Sequence, residues 1–355
     1  MSQRIVVIGA GIIGASIACQ LAQAGHAVTV VDRVGPATQA SGRSFGWINA
    51  SFFADAAHFR LRAAGIGAWH RADVHGLTWC GSLWFEEDGD AFDAMHAQLS
   101  EFNYPVEAID QNEFSRLEPH VASPPKRALR LPSEAAADTM LVTRTLLERA
   151  QAHGAMTLYG VDVQGIETQN GAISQVITSA GALAADSVIV AAGTASPDLV
   201  APLGVRLPML RRPGVLVTAR AVPPALSHIL VAPDQELRQL PDGRFLAPTS
   251  PNHQGDEDSD LRDTAEILAD QAIGRVRKLL PDQPLHIESI SLAFRPVPED
   301  GLPVVGSAGP DGLYIATMHS GVTLAAIIGE LVARELTNGG KAELLTPYRP
   351  ERFTA

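Results

Sequence analysis

Three glycines, Gly9, Gly11 and Gly14, stand directly after the apolar run Arg4-Ile5-Val6-Val7-Ile8. Their spacing suits phosphate chemistry. Gly9 permits a tight turn, Gly11 lets the backbone come close to a pyrophosphate, and Gly14 lets a helix pack against the strand. The alanine-rich segment Ala15–Ala24 favours helix, and Gly25 stops it. The free N–H groups at its start, around Ile12 and Ile13, favour a bound phosphate. A second apolar strand, Ala27–Val31, ends at Asp32, 18 residues after Gly14. A carboxylate at that place can accept hydrogen bonds from a ribose, with Arg33 beside it. The competing reading is a helix-packing glycine cluster with Asp32 on the surface. Strand, glycines, helix, strand and acid in this order favour a dinucleotide. Asp32 disfavours a 2′-phosphate, which argues against NADP. NAD and FAD are not separated by the motif.

Further residues could serve the same ligand or its reaction partner. Ala37–Ser44 is small, polar and turn-forming. It can lie along a pyrophosphate, with Ser41 and Ser44 as hydroxyl donors, Gly42 between them and Arg43 as a charge donor; an ordinary surface loop is the alternative. Val188–Gly193 reads as a buried strand ending in the small residues Ala192 and Gly193, as needed where backbone approaches a cofactor. Arg295 ends the apolar strand Ile290–Phe294 and precedes Pro296. A guanidinium there can grip a carboxylate through two hydrogen bonds, or it can pair with Asp300 or Glu299 and hold the turn. Arg43, His58 and Arg60 are further basic candidates, with a solvated surface as their alternative. His319 has three readings: contact with cofactor or substrate, a satisfied core histidine, or a covalent anchor.

The elements that must position these residues follow from the pattern. Continuous apolar runs suit parallel strands covered on both faces. Residues 54–75 read as a helix, with Phe59, Ala63, Ile66 and Trp69 at helical spacing. Residues 76–135 mix short strands with proline-rich turns. Leu141–His153 is an amphipathic helix. Strands follow at Val161–Glu167, Ile173–Thr178 and Asp186–Ala192, with a hairpin turn at Asn170-Gly171. More strands lie in 213–250, with a hairpin at Pro241-Asp242-Gly243. Residues 256–280 read as a helix, Ile287–Phe294 as a strand, and Leu313–Ala316 with Thr323–Leu336 as the last strand and helix. Leu324, Ile328, Leu331, Val332 and Leu336 form the buried stripe of that helix. The fold class is therefore α/β with a mixed α+β part. A Rossmann-like layer comprises residues 1–50, 136–212 and 296–355. A discontinuous second domain, 51–135 and 213–295, is built on an antiparallel sheet.

Composition bounds the rest. The 355 residues are 46% hydrophobic and carry 27 basic against 39 acidic side chains, a net charge of −12. Disorder as the main state is excluded. Nucleic-acid binding is disfavoured by the short basic clusters, and attraction to anionic membranes by the overall charge. Cys19 and Cys80 cannot build a disulfide framework or a cysteine zinc site, and the 11 histidines have no metal-ligand spacing. No secretory signal or membrane span is expected, and the cytoplasm is the default location.

The sequence resembles the FAD-dependent amine oxidoreductases that include glycine oxidase, D-amino acid oxidase and dehydrogenase, and sarcosine oxidase. Five segments carry the resemblance: Ile5–Gly14 with Asp32, Ala37–Gly42, Val188–Ser196, Arg295–Gly306 and His319–Ala325. The resemblance implies non-covalent FAD, with the backbone of Val163 at the adenine. It also implies His319, Ser320, Gly321, Val322 and Thr323 at the flavin pyrimidine edge, where a helix N-terminus can stabilise negative charge. The absence of a cysteine near the C-terminal motif excludes a thioether link of the sarcosine oxidase kind. Arg295 would bind the substrate carboxylate, with His58 and Arg60 as further substrate candidates. His319 is the one catalytic candidate. The implied reaction is oxidation of the C–N bond of an amino acid or N-substituted amino acid. Electrons would pass to O2 or to a quinone or electron-transfer partner. An NAD-dependent dehydrogenase and a non-catalytic flavoprotein subunit are the alternatives.

Overall fold

The computed structural model describes residues 2–251 and 258–353. Its centre is a six-stranded sheet in the order Val304–Ser307, Leu313–Thr317, Ser187–Val190, Arg4–Ile8, Ala27–Asp32, Met156–Tyr159. Adjacent strands run parallel, except that Val304–Ser307 is antiparallel to its neighbour. The continuous apolar strands are explained by cover on both faces. Ile5, Val7, Val28 and Val30 pack beneath three helices, Ile12–Gln23, Thr139–Ala152 and Gly321–Asn338. Val6, Ile8, Val31, Val188 and Val190 pack with Ile173 and Val176 of a three-stranded antiparallel meander, Val163–Gln169, Ala172–Thr178 and Gly181–Ala184. The hairpin at Asn170-Gly171 forms as expected, both residues having positive φ (54° and 82°).

The helices on the first face cross closely. A Cβ on Gly329 would come within 2.4 Å of Ser16 Oγ, so Gly329 permits the contact between the first and last helices. A fourth helix, Ala56–Ala72, is started by Asp55, whose Oδ1 accepts from the His58 N–H at 2.8 Å. It lies across the beginning of the last helix. A Cβ on Gly65 would stand 2.6 Å from the Thr323 carbonyl oxygen.

The second large sheet has eight strands in the order Ile287–Phe294, Pro213–Ala219, Phe245–Pro248, Gln235–Gln239, Ile229–Ala232, Ser82–Trp84, Arg127–Leu131, Glu107–Asp110. It is antiparallel throughout except where Ile229–Ala232 runs parallel to Ser82–Trp84. There the two excursions of the chain meet. The helix Ala265–Leu279 covers this sheet, burying Ala269, Ala272, Ile273 and Val276.

Some local expectations differ from the structure. Residues 76–135 contain two helices, Asp90–Glu101 and Gln111–Leu117. The first buries only Phe92 and Leu99, so it has too little apolar stripe to be read. The second is short and is held by Asp110, whose Oδ1 accepts from the Glu113 N–H. The helix expected over 256–280 begins at Ala265, where Thr264 caps it. Residues 256–257 lie outside the described residues. Among the described residues no helix is long and apolar enough to cross a membrane.

Candidate active site

The glycine turn has the geometry that its spacing implies. Gly9 has φ +112°, and a Cβ there would come within 2.4 Å of the Ala191 carbonyl oxygen. A Cβ on Gly14 would stand 2.0 Å from the Gly9 carbonyl oxygen. Both glycines are therefore required by the fold. Gly11 differs. Its φ of −73° suits any residue, and a Cβ would meet only Ser41 Oγ, at 3.1 Å. It faces a cavity of about 420 Å³.

That cavity is continuous from the end of the second strand to the start of the last helix. Gly11, Ile12, Asp32 and Ser41 line it, as do Met318 to Thr323, with Ala192 and Gly193 just past the C-terminal end of the strand Ser187–Val190. Gly9, Ile13, Arg33, Arg43 and Ser44 also line it. Asp32 does more than face the cavity. Its Oδ2 accepts from the Ala10 N–H and its Oδ1 from the Val34 and Gly35 N–H groups, all at 2.8 Å. Ser41 Oγ accepts from the Ile12 N–H at 3.0 Å, which leaves its own proton for a phosphate. Arg43 donates to the Leu292 carbonyl at 3.0 Å and ties this loop to the eight-stranded sheet.

At the other end, Ser320 caps the last helix with a left-handed backbone (φ 58°). The N–H groups of Gly321, Val322 and Thr323 belong to its first turn, where no intrahelical acceptor exists. Trp69 Nε1 donates to the Val322 carbonyl at 2.9 Å and fixes that turn. Beneath it lies Arg62, only 2% exposed. Its Nη1 donates to Ser320 Oγ at 2.7 Å and its Nη2 donates to Asn49 Oδ1. The Asn49 N–H in turn donates to Thr323 Oγ1 at 3.2 Å. Burial pulls the Arg62 pKa down to about 10, partly offset by Glu134 and Tyr104.

Arg295 lies on the same cavity. Its backbone N–H donates to the Arg212 carbonyl at 2.8 Å, and its carbonyl accepts from Val297 at 3.0 Å. Asp300 pairs with Arg352 at 2.7 Å, and Glu299 lies 4.0 Å from Arg206.

The sequence profile described as "DAO: FAD dependent oxidoreductase" matches residues 4–335. The chain belongs to this family of FAD-dependent oxidoreductases. It is 25% identical over 418 residues to a D-amino acid dehydrogenase of Rhizobium johnstonii, covering 96% of this chain and 97% of that one. It is 26% identical over 372 residues to a glycine oxidase of Pseudomonas aeruginosa, covering 99% of both. The solved glycine oxidase of Bacillus cereus shares the fold, with a TM-score of 0.86 at 20% identity over 98% of both chains.

FAD is thus the cofactor of this oxidoreductase, in place of NAD, and the cavity fits it. The open side of Gly11, the start of the Ile12–Gln23 helix and Ser41, whose Oγ already takes the Ile12 N–H, are the residues that would hold its pyrophosphate. A side chain at residue 11 would fill that space.

Four of the expected site residues stand off the cavity, besides Gly14. Gly42 packs on the Ala37 carbonyl, 2.0 Å from where its Cβ would be. Val163 begins the meander, half-buried, and does not line the cavity. Arg60 projects from the exposed side of its helix. His58 is buried outside the cavity, its Nδ1 accepting from the Ala54 N–H at 3.2 Å. The arginine that this helix does bring to the cavity is Arg62. It follows Phe59 by three and precedes Ile66 by four, on the buried stripe. An arginine inside an apolar stripe was the available signal. Trp47, Asn49 and Glu236 also line the cavity; their sequence surroundings carry no pattern that marks them.

Proposed function

We propose that this flavoenzyme oxidises the C–N bond of an amino acid or N-substituted amino acid, and that Arg295 binds the substrate carboxylate. FAD, when bound, supplies the acceptor for a hydride from the substrate α-carbon. The imine so formed hydrolyses to an oxo acid and an amine or ammonia. The chain's own residues orient the substrate. Arg295, anchored by its backbone between Arg212 and Val297, offers a planar fork to the carboxylate. His319, beside the Ser320 cap, borders the same space. O2 or a quinone or electron-transfer partner then takes the electrons. We place the protein in the cytoplasm and its FAD in non-covalent association.

Two findings support the reading: relatives named D-amino acid dehydrogenase and glycine oxidase, and the observation that carries it. That observation is that Arg295 lines the same cavity as the glycine turn and the N-terminus of the last helix. The division into a cofactor unit (1–50, 136–212, 296–355) and a substrate unit (51–135, 213–295) belongs to the same proposal. The strands of the six-stranded sheet come from the first set of segments and those of the eight-stranded sheet from the second.

Arg295→Lys keeps the charge and loses the fork, and Arg295→Met loses both. Both variants are expected to retain FAD. Catalytic efficiency should fall from wild type to Lys to Met, the Met variant losing roughly 2–5 kcal/mol of transition-state binding. Loss of FAD or of folding in the Met variant would show Arg295 to be structural.

A further inference from the structure

Two sources of positive potential converge at one end of the cavity. The first is the N-terminus of the 18-residue helix Gly321–Asn338. The second is Arg62, whose guanidinium is tied to the cap of that helix through Ser320 Oγ. A cation at a helix N-terminus is repelled by the dipole, and a buried cation also loses its hydration. The carboxylate whose field reaches Arg62 is Glu134. It is itself buried and accepts from Trp47 Nε1 at 2.8 Å, Ser82 Oγ at 2.6 Å and Tyr104 OH at 3.0 Å. No ion pair joins it to Arg62 among the described residues. Arg62 Nε has no hydrogen-bond partner although it is fully buried. The arrangement carries a desolvation cost, and negative charge brought beside Arg62 would offset it.

FAD supplies a charge of that sign at a defined place. Were the pyrophosphate held at Gly11 and Ile12, the lining from Met318 to Thr323, with Arg62, would be open to the ring system. Of its edges, the dimethylbenzene edge is apolar. The pyrimidine edge, with its carbonyl oxygens and N1, is the one that a cation and free N–H groups attract. Uptake of two electrons and one proton leaves that edge with one negative charge.

We propose that Arg62 is a redox-tuning residue, the cation that holds negative charge at the pyrimidine edge of the bound flavin and so raises its reduction potential. Asn49 and Ser320 are the positioning residues that aim it. The proposal rests on FAD lying in this cavity, and it is independent of which amine is oxidised.

The test is the midpoint potential of the bound flavin in ligand-free holoenzyme, set with a chemical reductant, for wild type, Arg62→Met and Arg62→Lys. In Arg62→Met the reduced cofactor should bind at least tenfold more weakly relative to the oxidised one, a fall of about 30 mV or more for two electrons. Arg62→Lys, which restores a charge, should recover at least half of the shift. A potential that moves by less than half of the expected amount, with FAD bound, overturns the proposal. Benzoate affinity, lost in Arg62→Met while the potential stays, would instead make Arg62 a carboxylate-binding residue. If Arg62→Met does not fold, Arg62→Gln and Ser320→Ala give the same comparison by weakening the cation or its aim. An enzyme whose flavin no amino acid reduces would sink the amino acid reading and leave these potentials interpretable.

Discussion

The three motif glycines divide into two jobs. Gly9 and Gly14 have backbone oxygens 2.4 Å and 2.0 Å from their missing Cβ atoms, whereas Gly11 opens on the cavity. Gly11→Val should therefore fold and carry no FAD, while Gly9→Ala and Gly14→Ala should yield little folded protein. Acid precipitation measures this directly, since wild type should release its flavin to the supernatant and Gly11→Val should release none. His58 gives a pH signature. Burial, helped by the nearby Arg62 charge and opposed by Asp55, holds its pKa at about 4, against an ordinary 6.5. The folded state thus prefers the neutral ring. Stability is intact above pH 6.5, falls as the pH drops toward 4, and levels off below that. The loss attributable to His58 is about 3 kcal/mol. Urea midpoints at pH 7 and 4.5 should differ less in His58→Gln than in wild type; an equal difference would show that His58 is not the titrating group. The order strand, glycines, helix, strand and acid made the turn at Gly9–Gly14 and the place of Asp32 legible. Arg62 was hidden because a charged residue in a helix normally reads as solvated, and its anchors Asn49 and Ser320 are 13 and 258 residues away.

Among the elements, the first turn of the last helix is the one whose position matters most. The helix Ala56–Ala72 sets it, through Trp69 on the Val322 carbonyl and through Gly65 against Thr323. Gly65→Ala puts a methyl 2.6 Å from a backbone oxygen that cannot move without displacing the helix start. It should cost roughly 1–3 kcal/mol in stability and weaken FAD binding as well. A thermal scan of apoprotein with a flavin titration separates the two effects; unchanged FAD affinity would mean that this crossing does not position the site. Elements buried on both faces were the easiest to read, since Arg4–Ile8 and Ser187–Val190 are short unbroken apolar runs. Asp90–Glu101 was unreadable for the opposite reason. It buries only two large side chains, and helical periodicity needs more.

At the scale of the whole molecule, the cavity lies where the parallel sheet, the last helix and the edge of the eight-stranded sheet come together. Residues 4, 188 and 313 meet in one sheet through register pairs that no local pattern encodes. The parallel contact between Ile229–Ala232 and Ser82–Trp84 likewise joins segments far apart in sequence. Layer composition was legible because alternation and run length are local; strand order was not. The most direct measurement of the central claim is anaerobic mixing of the purified flavoprotein with D-, L- and N-substituted amino acids, watching the flavin absorbance. At least one of them should bleach it, the amine that lacks only the carboxylate should not, and Arg295→Met should abolish the preference. A flavin left oxidised by every amino acid, or bleached equally by the decarboxylated amine, would contradict the account.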